Sequence, residues 1–185
     1  MNDRLAKSDW IDHGLRTLAE RGPNALKIGA MAEGLNVSRG SFYWHFRDVA
    51  DFRTQLLQHW RDWTTQRVIR ELEADLDEPD RLRSLVSSAF AGEPGNGRTI
   101  RSLDKAVRAW AIDSDEVAAV VASVDADRVA YIARLLVESG VESEKAAYRA
   151  SFLYWAYLGQ PIAMNPDFSS ATSTAIADIC ELFRR

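Results

Sequence analysis

Apolar residues recur three and four positions apart along most of the chain, the spacing of one buried face of an α-helix. Trp10, Ile11, Gly14, Leu15, Leu18 and Ala19 predict a first helix ending at Arg21, where Gly22-Pro23-Asn24 stops it. Ile28, Met31, Ala32 and Leu35 mark a second, short one. Gly34 and Asn36 can both take the left-handed backbone that closes a helix, and Val37 can plug the corner that follows. Ser38 is an N-cap for a third helix running to about His45, with Phe42 and Phe46 as its inward anchors. Asp48 opens a long fourth helix over 48–75, with Phe52, Leu56, Trp60, Trp63, Val68 and Leu72 on one side.

The same period continues to the end of the sequence. Helices are predicted over about 79–91, 100–112, 114–138, 144–164 and 169–183. Leu76–Asp80, Gly92–Gly97, Asp113-Ser114 and Gly140 punctuate them, Ser143 caps the fourth of these, and Pro161 should kink or end it. No run alternates as a strand does, and Asn96-Gly97 lies between helical patterns. The expected fold is all-α: a three-helix N-terminal unit of helix-turn-helix type, residues 1–47, followed by a helical body, residues 48–185.

The third helix gives the N-terminal unit its chemistry. With Phe42 and Phe46 turned inward, Arg39, Gly40, Ser41, Tyr43, Trp44 and His45 surround its remaining sides. That face is rich in hydrogen-bond donors and nearly free of carboxylates, as suits a helix that enters the major groove while its flanks hold phosphates. Overall charge is a weaker guide. The total is −4, but residues 1–47 carry seven basic against five acidic side chains, a balance of +2 that leaves −6 for the remainder. A mildly basic end on an acidic body fits contact with DNA at one end.

The run A-x-x-L-x-V-S-x-G-S-F-Y-x-H-F closely resembles the DNA-binding motif of the TetR family of bacterial transcriptional regulators. The resemblance is strong over about the first quarter of the chain. A looser similarity to one branch of the family covers Val107 to Gly159. It implies a sequence-specific regulator that binds a double-stranded DNA operator. Tyr43 and His45 would contact phosphates, each offering a short neutral donor. Arg39 would be the best base reader, because a guanidinium can bond guanine O6 and N7 together. Ser38 and Ser41 can reach bases or phosphates, and Gly40 allows close approach. Lys27 suits a phosphate at the start of the first motif helix, and Arg47 could add another. Trp44 fits a thymine methyl, the DNA backbone, or the core. Three positions depart from the family pattern: Asn36 stands where the turn usually has Gly, Val49 where a Lys is frequent, and Gly29 where many members carry an Arg.

For the body, the resemblance implies a small-molecule inducer and pairing with a second copy. The last two helices, apolar over 146–163 and 171–183, can pack against their copies as a four-helix bundle. A twofold dimer calls for a near-palindromic operator. Candidate pocket residues are Trp60, Trp63, Phe90, Trp110, Tyr131, Tyr148, Phe152 and Trp155, since aromatics with polar tips line apolar ligand sites. An uncharged aromatic or aliphatic inducer is preferred, and the fourth helix would connect it to the DNA unit. The alternatives are a helical small-molecule-binding protein, or an activator without inducer-controlled repression.

An enzyme is disfavoured. His13, His45 and His59 show no metal-binding spacing, and Cys180 has no evident His partner. The acidic pairs read as solvated faces or helix starts, and Gly92–Gly97 is not followed by the Lys-Ser/Thr of a phosphate loop. No catalytic residue, metal or cofactor is expected. A single cysteine, no bilayer-length apolar run and no apolar leader at the N-terminus suggest a cytoplasmic protein without membrane association.

Overall fold

The computed structural model describes residues 5–75, 80–90, 96–160 and 172–184, with side chains from residue 100 onward in the helix that opens at 96. Among the described residues the backbone forms helices and no strand. They are α1 (Lys7–Arg21), α2 (Ile28–Gly34), α3 (Arg39–Tyr43), α4 (Val49–Arg61), α5 (Arg67–Ala74), α6 (Arg81–Phe90), α7 (Asn96–Ile112), α8 (Asp115–Glu138), α9 (Ser143–Gly159) and α10 (Ser173–Arg184). The chain divides into two compact units. One comprises residues 1–64 and 102–121, the other 65–101 and 122–185. In the first unit, α4 and parts of α7 and α8 group with the first three helices.

Aromatic packing organises the first unit. Phe42 meets Trp10 edge-on at 5.4 Å and Phe52 at 5.6 Å, and Phe46 meets Phe52 at 5.0 Å. All four rings are buried. Each contributes about 1.5–3 kcal/mol by leaving water, with a further increment from the edge-to-face geometry. Gly14 explains how closely α1 lies on α4: a Cβ built there would sit 2.6 Å from both Leu56 Cδ1 and Phe52 Cζ. Leu103, Val107, Trp110, Val117 and Val121 complete this unit. Trp60 donates its indole N–H to buried Asp104 at 2.8 Å.

In the second unit, Leu82, Val86, Ile132, Leu135, Leu136, Leu153, Ile176 and Cys180 form a continuous buried cluster. Here α6 packs on both α10 and α5. Asp80 accepts from the Arg184 guanidinium, so an ion pair fastens the start of α6 to the end of α10. That hydrogen bond holds the Asp80 carboxyl below its ordinary value of 3.8.

Several boundaries moved from where periodicity put them. The third helix is shorter than the span to His45, ending at Tyr43. Ser38 stands at its N-cap position but makes no side-chain cap bond. Asp48 does cap α4, accepting from the Asp51 N–H at 2.8 Å. Asn96-Gly97, read as loop, opens α7, and 91–95 lie outside the described residues. Pro161 and the rest of 161–171 also lie outside them. Gly140, at φ +96°, closes α8. The single long helix expected over 48–75 is found, interrupted at Asp62–Gln66 by a π-helical turn. There the Thr64 hydroxyl donates back to the Trp60 carbonyl at 2.8 Å, a side-chain competitor for the regular backbone ladder.

Candidate nucleic-acid interface

The turn between α2 and α3 is closed by backbone hydrogen bonds. Val37 N–H donates to Ala32 O at 2.9 Å and Asn36 N–H to Glu33 O at 3.0 Å. Asn36 adopts φ +55°, the left-handed geometry its short polar side chain tolerates. Gly34, the other candidate for that role, is still helical. A Cβ at Gly34 would lie 2.8 Å from the His13 ring, so its smallness serves the contact with α1 instead.

With Phe42 and Phe46 buried, the donors fall on the outside of α3 and its flanks. Lys27, Ser38, Arg39, Gly40, Tyr43, Trp44 and Arg47 are exposed, and Ser41 and His45 are half-buried. Tyr43 is 60% and Trp44 78% exposed, an unusual state for rings of that size. The Tyr43 ring is braced edge-on against Phe42 at 5.4 Å, which fixes its direction while leaving the hydroxyl end outward. His45 is held at the corner by its N–H to Phe42 O at 3.0 Å and by an edge contact with Phe46. Arg47 donates its backbone N–H to Asp51 at 2.9 Å, and its guanidinium is 3.9 Å from the same carboxylate. Those bonds pull the Asp51 carboxyl below its usual value. Arg39 behaves differently from a side chain projecting off α3. Its guanidinium lies over Gly29 on α2.

The eight pocket candidates do not form one group. In the first unit, Trp60 and Trp110 are buried and Trp63 half-buried. Trp110 stacks under the Arg53 guanidinium at 5.7 Å. In the second unit, Phe90 is half-buried against the core. Tyr131 is buried and donates its hydroxyl to Glu73 at 3.0 Å; burial and that carboxylate push its pKa up to about 12. Tyr148, Phe152 and Trp155 are exposed along α9, with exposed Leu182 on α10. The exposed trio belongs to a surface, whereas Trp60 and Tyr131 are core residues with satisfied polar tips.

Pattern reading also passed over a buried and a half-buried polar group in the body. Asp104 shares a helical face with Leu103 and Val107, and Arg128 falls on the stripe of Val124 and Ile132. A charge at an apolar position was the available signal. Arg128 donates to Thr65 Oγ1 at 2.9 Å and to the Tyr154 hydroxyl at 3.3 Å, and Tyr154 donates to Asp125 at 2.7 Å. A separate open cleft of about 550 Å³, lined by Asp80, Arg81, Leu82, Leu135, Glu138, Ser139 and Arg184, contains none of the aromatic candidates.

A three-helix unit with a tight turn and an exposed donor face, continuing into a helical body, defines a helix-turn-helix protein. Residues 11–52 match the family described as bacterial regulatory proteins, tetR family. The HTH-type transcriptional regulator AcrR of Shigella flexneri is 33% identical over 46 residues, which are 25% of this chain and 21% of that protein. The match thus spans about a fifth of that relative's length. Among solved structures, a protein described as a transcriptional regulator from Saccharomonospora viridis, in complex with choline, superposes with a TM-score of 0.72 at 19% identity, covering 96% of this chain and 92% of that one. A protein described as a TetR-family regulator from Rhodococcus sp. gives 0.69 at 16% identity, covering both chains completely. At such identities these two establish the fold. The match to the TetR family is thus confined to residues 11–52, and the fold of the whole chain is that of these two solved proteins. Among the described residues no helix is long and apolar enough to cross a membrane.

Proposed function

We propose that the protein is a cytoplasmic, homodimeric repressor that holds a near-palindromic duplex operator and releases it when a small molecule binds the helical body. The observation that carries the reading is the face of α3: Tyr43 and Trp44 exposed, Ser38, Ser41 and His45 beside them, and Glu33 as the one carboxylate between residues 26 and 47. In the docking geometry of this motif, α3 enters the major groove and α2 crosses the backbone. Tyr43, His45, Lys27 and Arg47 then hold phosphates, while Ser38, Gly40, Ser41 and Trp44 face the groove.

Dimerisation is supported by α9 and α10. Tyr148, Phe152, Trp155 and Leu182 expose apolar surface from one pair of helices, as a subunit interface does. Release is supported by chain connectivity. The segment Val49–Ala74 passes from the first unit into the second between Thr64 and Thr65, within the π-helical turn. Such turns are among the places where helices kink. An effector that binds one conformer of the body better than another shifts the recognition helices away from the spacing the operator needs. The fold of the Saccharomonospora viridis protein accommodates choline; the effector of this chain is a matter for screening.

The test is selection of duplexes from a random pool by the full chain. An enriched near-palindrome is expected, and ligands are then screened for those that lift binding. Absence of enrichment at low salt from folded protein would refute DNA recognition. An effector that saturates the body yet leaves operator affinity unchanged would refute induced release.

A further inference from the structure

An ideal Cβ at Gly29 would lie 2.9 Å from Arg39 Nη2 and 3.2 Å from both Cζ and Nε. Three guanidinium atoms at nearly one distance mean that the plane of the group faces the missing side chain. Arg39 therefore leaves the first position of α3 and lies across α2, filling space that any residue larger than glycine would occupy. Lys27, two residues before Gly29, is exposed at the N-cap position of α2. In a docked helix-turn-helix, α2 crosses the phosphate backbone while base edges are met from α3.

We propose that Arg39 is a phosphate clamp docked on α2 through the gap at Gly29, acting with Lys27, and that it does not read a base from α3. This assignment rests on the DNA-binding reading and specifies one contact within it. A guanidinium in this position positions the protein on the duplex and carries no sequence information. Gly29 is then a functional glycine: its lack of a side chain pre-sets the Arg39 rotamer and removes the cost of ordering a long flexible group on binding.

The probe is the duplex enriched by full-length protein from a random pool, titrated over a range of salt concentrations. Arg39→Ala should weaken all duplexes about tenfold and make the slope of log K against log salt shallower by about 1 per protomer. Arg39→Lys should keep most of the affinity and the slope, since a phosphate accepts a point charge where a guanine pair needs the planar fork. Gly29→Ala displaces the guanidinium and should cost a few-fold, uniformly, and nothing further in the Arg39→Ala background. Both positions tolerate change without loss of fold, which thermal melting checks. Relaxed preference at one base pair with an unchanged salt slope, or additive effects of the two substitutions, would overturn the clamp while leaving DNA binding intact. A wild-type chain that enriches no duplex would overturn both.

Discussion

Two surfaces of this chain expose large aromatic rings to a similar degree, and they differ in what surrounds those rings. Around α3, Tyr43 and Trp44 stand among Ser38, Arg39, Ser41 and His45. Along α9, Tyr148, Phe152 and Trp155 stand with Leu182 of α10, and Phe152 approaches Trp155 at 6.3 Å and Phe183 at 6.5 Å. Exposure of a ring is therefore not informative without its neighbours. Donors beside a ring suit an anionic polymer, which takes hydrogen bonds and charge. Apolar neighbours suit a second apolar surface, which takes the hydrophobic increment of about 25 cal/mol per Å². In the proposed function the first surface meets a charged partner and the second meets another copy of itself.

The comparison can be broken at either face. The largest effect is expected from Phe152→Glu, which places a charge in the centre of the proposed dimer surface. It should cost roughly 3 kcal/mol or more in association, giving monomer in sedimentation at concentrations where the wild type is dimeric. Operator affinity should fall with it, because two half-sites would no longer be held by one particle. Unchanged dimerisation would move the interface elsewhere.

Gly14→Ala sharpens the contrast from the other side. The added methyl meets Leu56 and Phe52 at 2.6 Å, so the first unit should lose about 1–3 kcal/mol of stability by overpacking. Chemical denaturation should show the loss, while dimerisation through α9 and α10 persists. Next in size, Tyr43→Ala should weaken every duplex by about 1–2 kcal/mol without altering sequence preference or melting temperature. A change of preference at one base pair would make Tyr43 a base reader.

The smallest effect concerns the Asp80–Arg184 pair. The folded-state Asp80 carboxyl titrates below its ordinary 3.8, so its contribution is full above that value and is lost as pH falls through the lower one. Asp80→Asn should therefore reduce stability at neutral pH by under about 1 kcal/mol, since both side chains touch solvent, and the difference should vanish in acid. An equal difference at pH 2 and pH 7 would contradict the assignment.

Most of the fold was legible because each helix carries its own period and its own stop. Asp48, Asn36 and Gly140 announced boundaries by chemistry that is local to them. The π-helical turn at Asp62–Gln66 was not legible, since it depends on where Thr64 and Thr65 are buried, a tertiary fact. The outward donors of the candidate interface were likewise readable, because Phe42 and Phe46 fixed which side of α3 faces in. The direction of Arg39 was not readable. It depends on a glycine ten residues earlier being next to it in space. Of the pocket aromatics, the periodicity of α9 already placed Phe152 and Trp155 three apart on one stripe. Whether that stripe faces inward or outward is decided by which neighbours cover it.

In the proposed function the α3 face and the α9–α10 face act together, with two protomers on one duplex. This is tested most directly by sedimentation of the full chain with duplexes carrying either one or both halves of the selected site. Two protomers are expected on the complete site, with half-sites about one helical turn apart, and far weaker binding to the half-site. A single protomer holding a half-site as tightly as the complete site would contradict it.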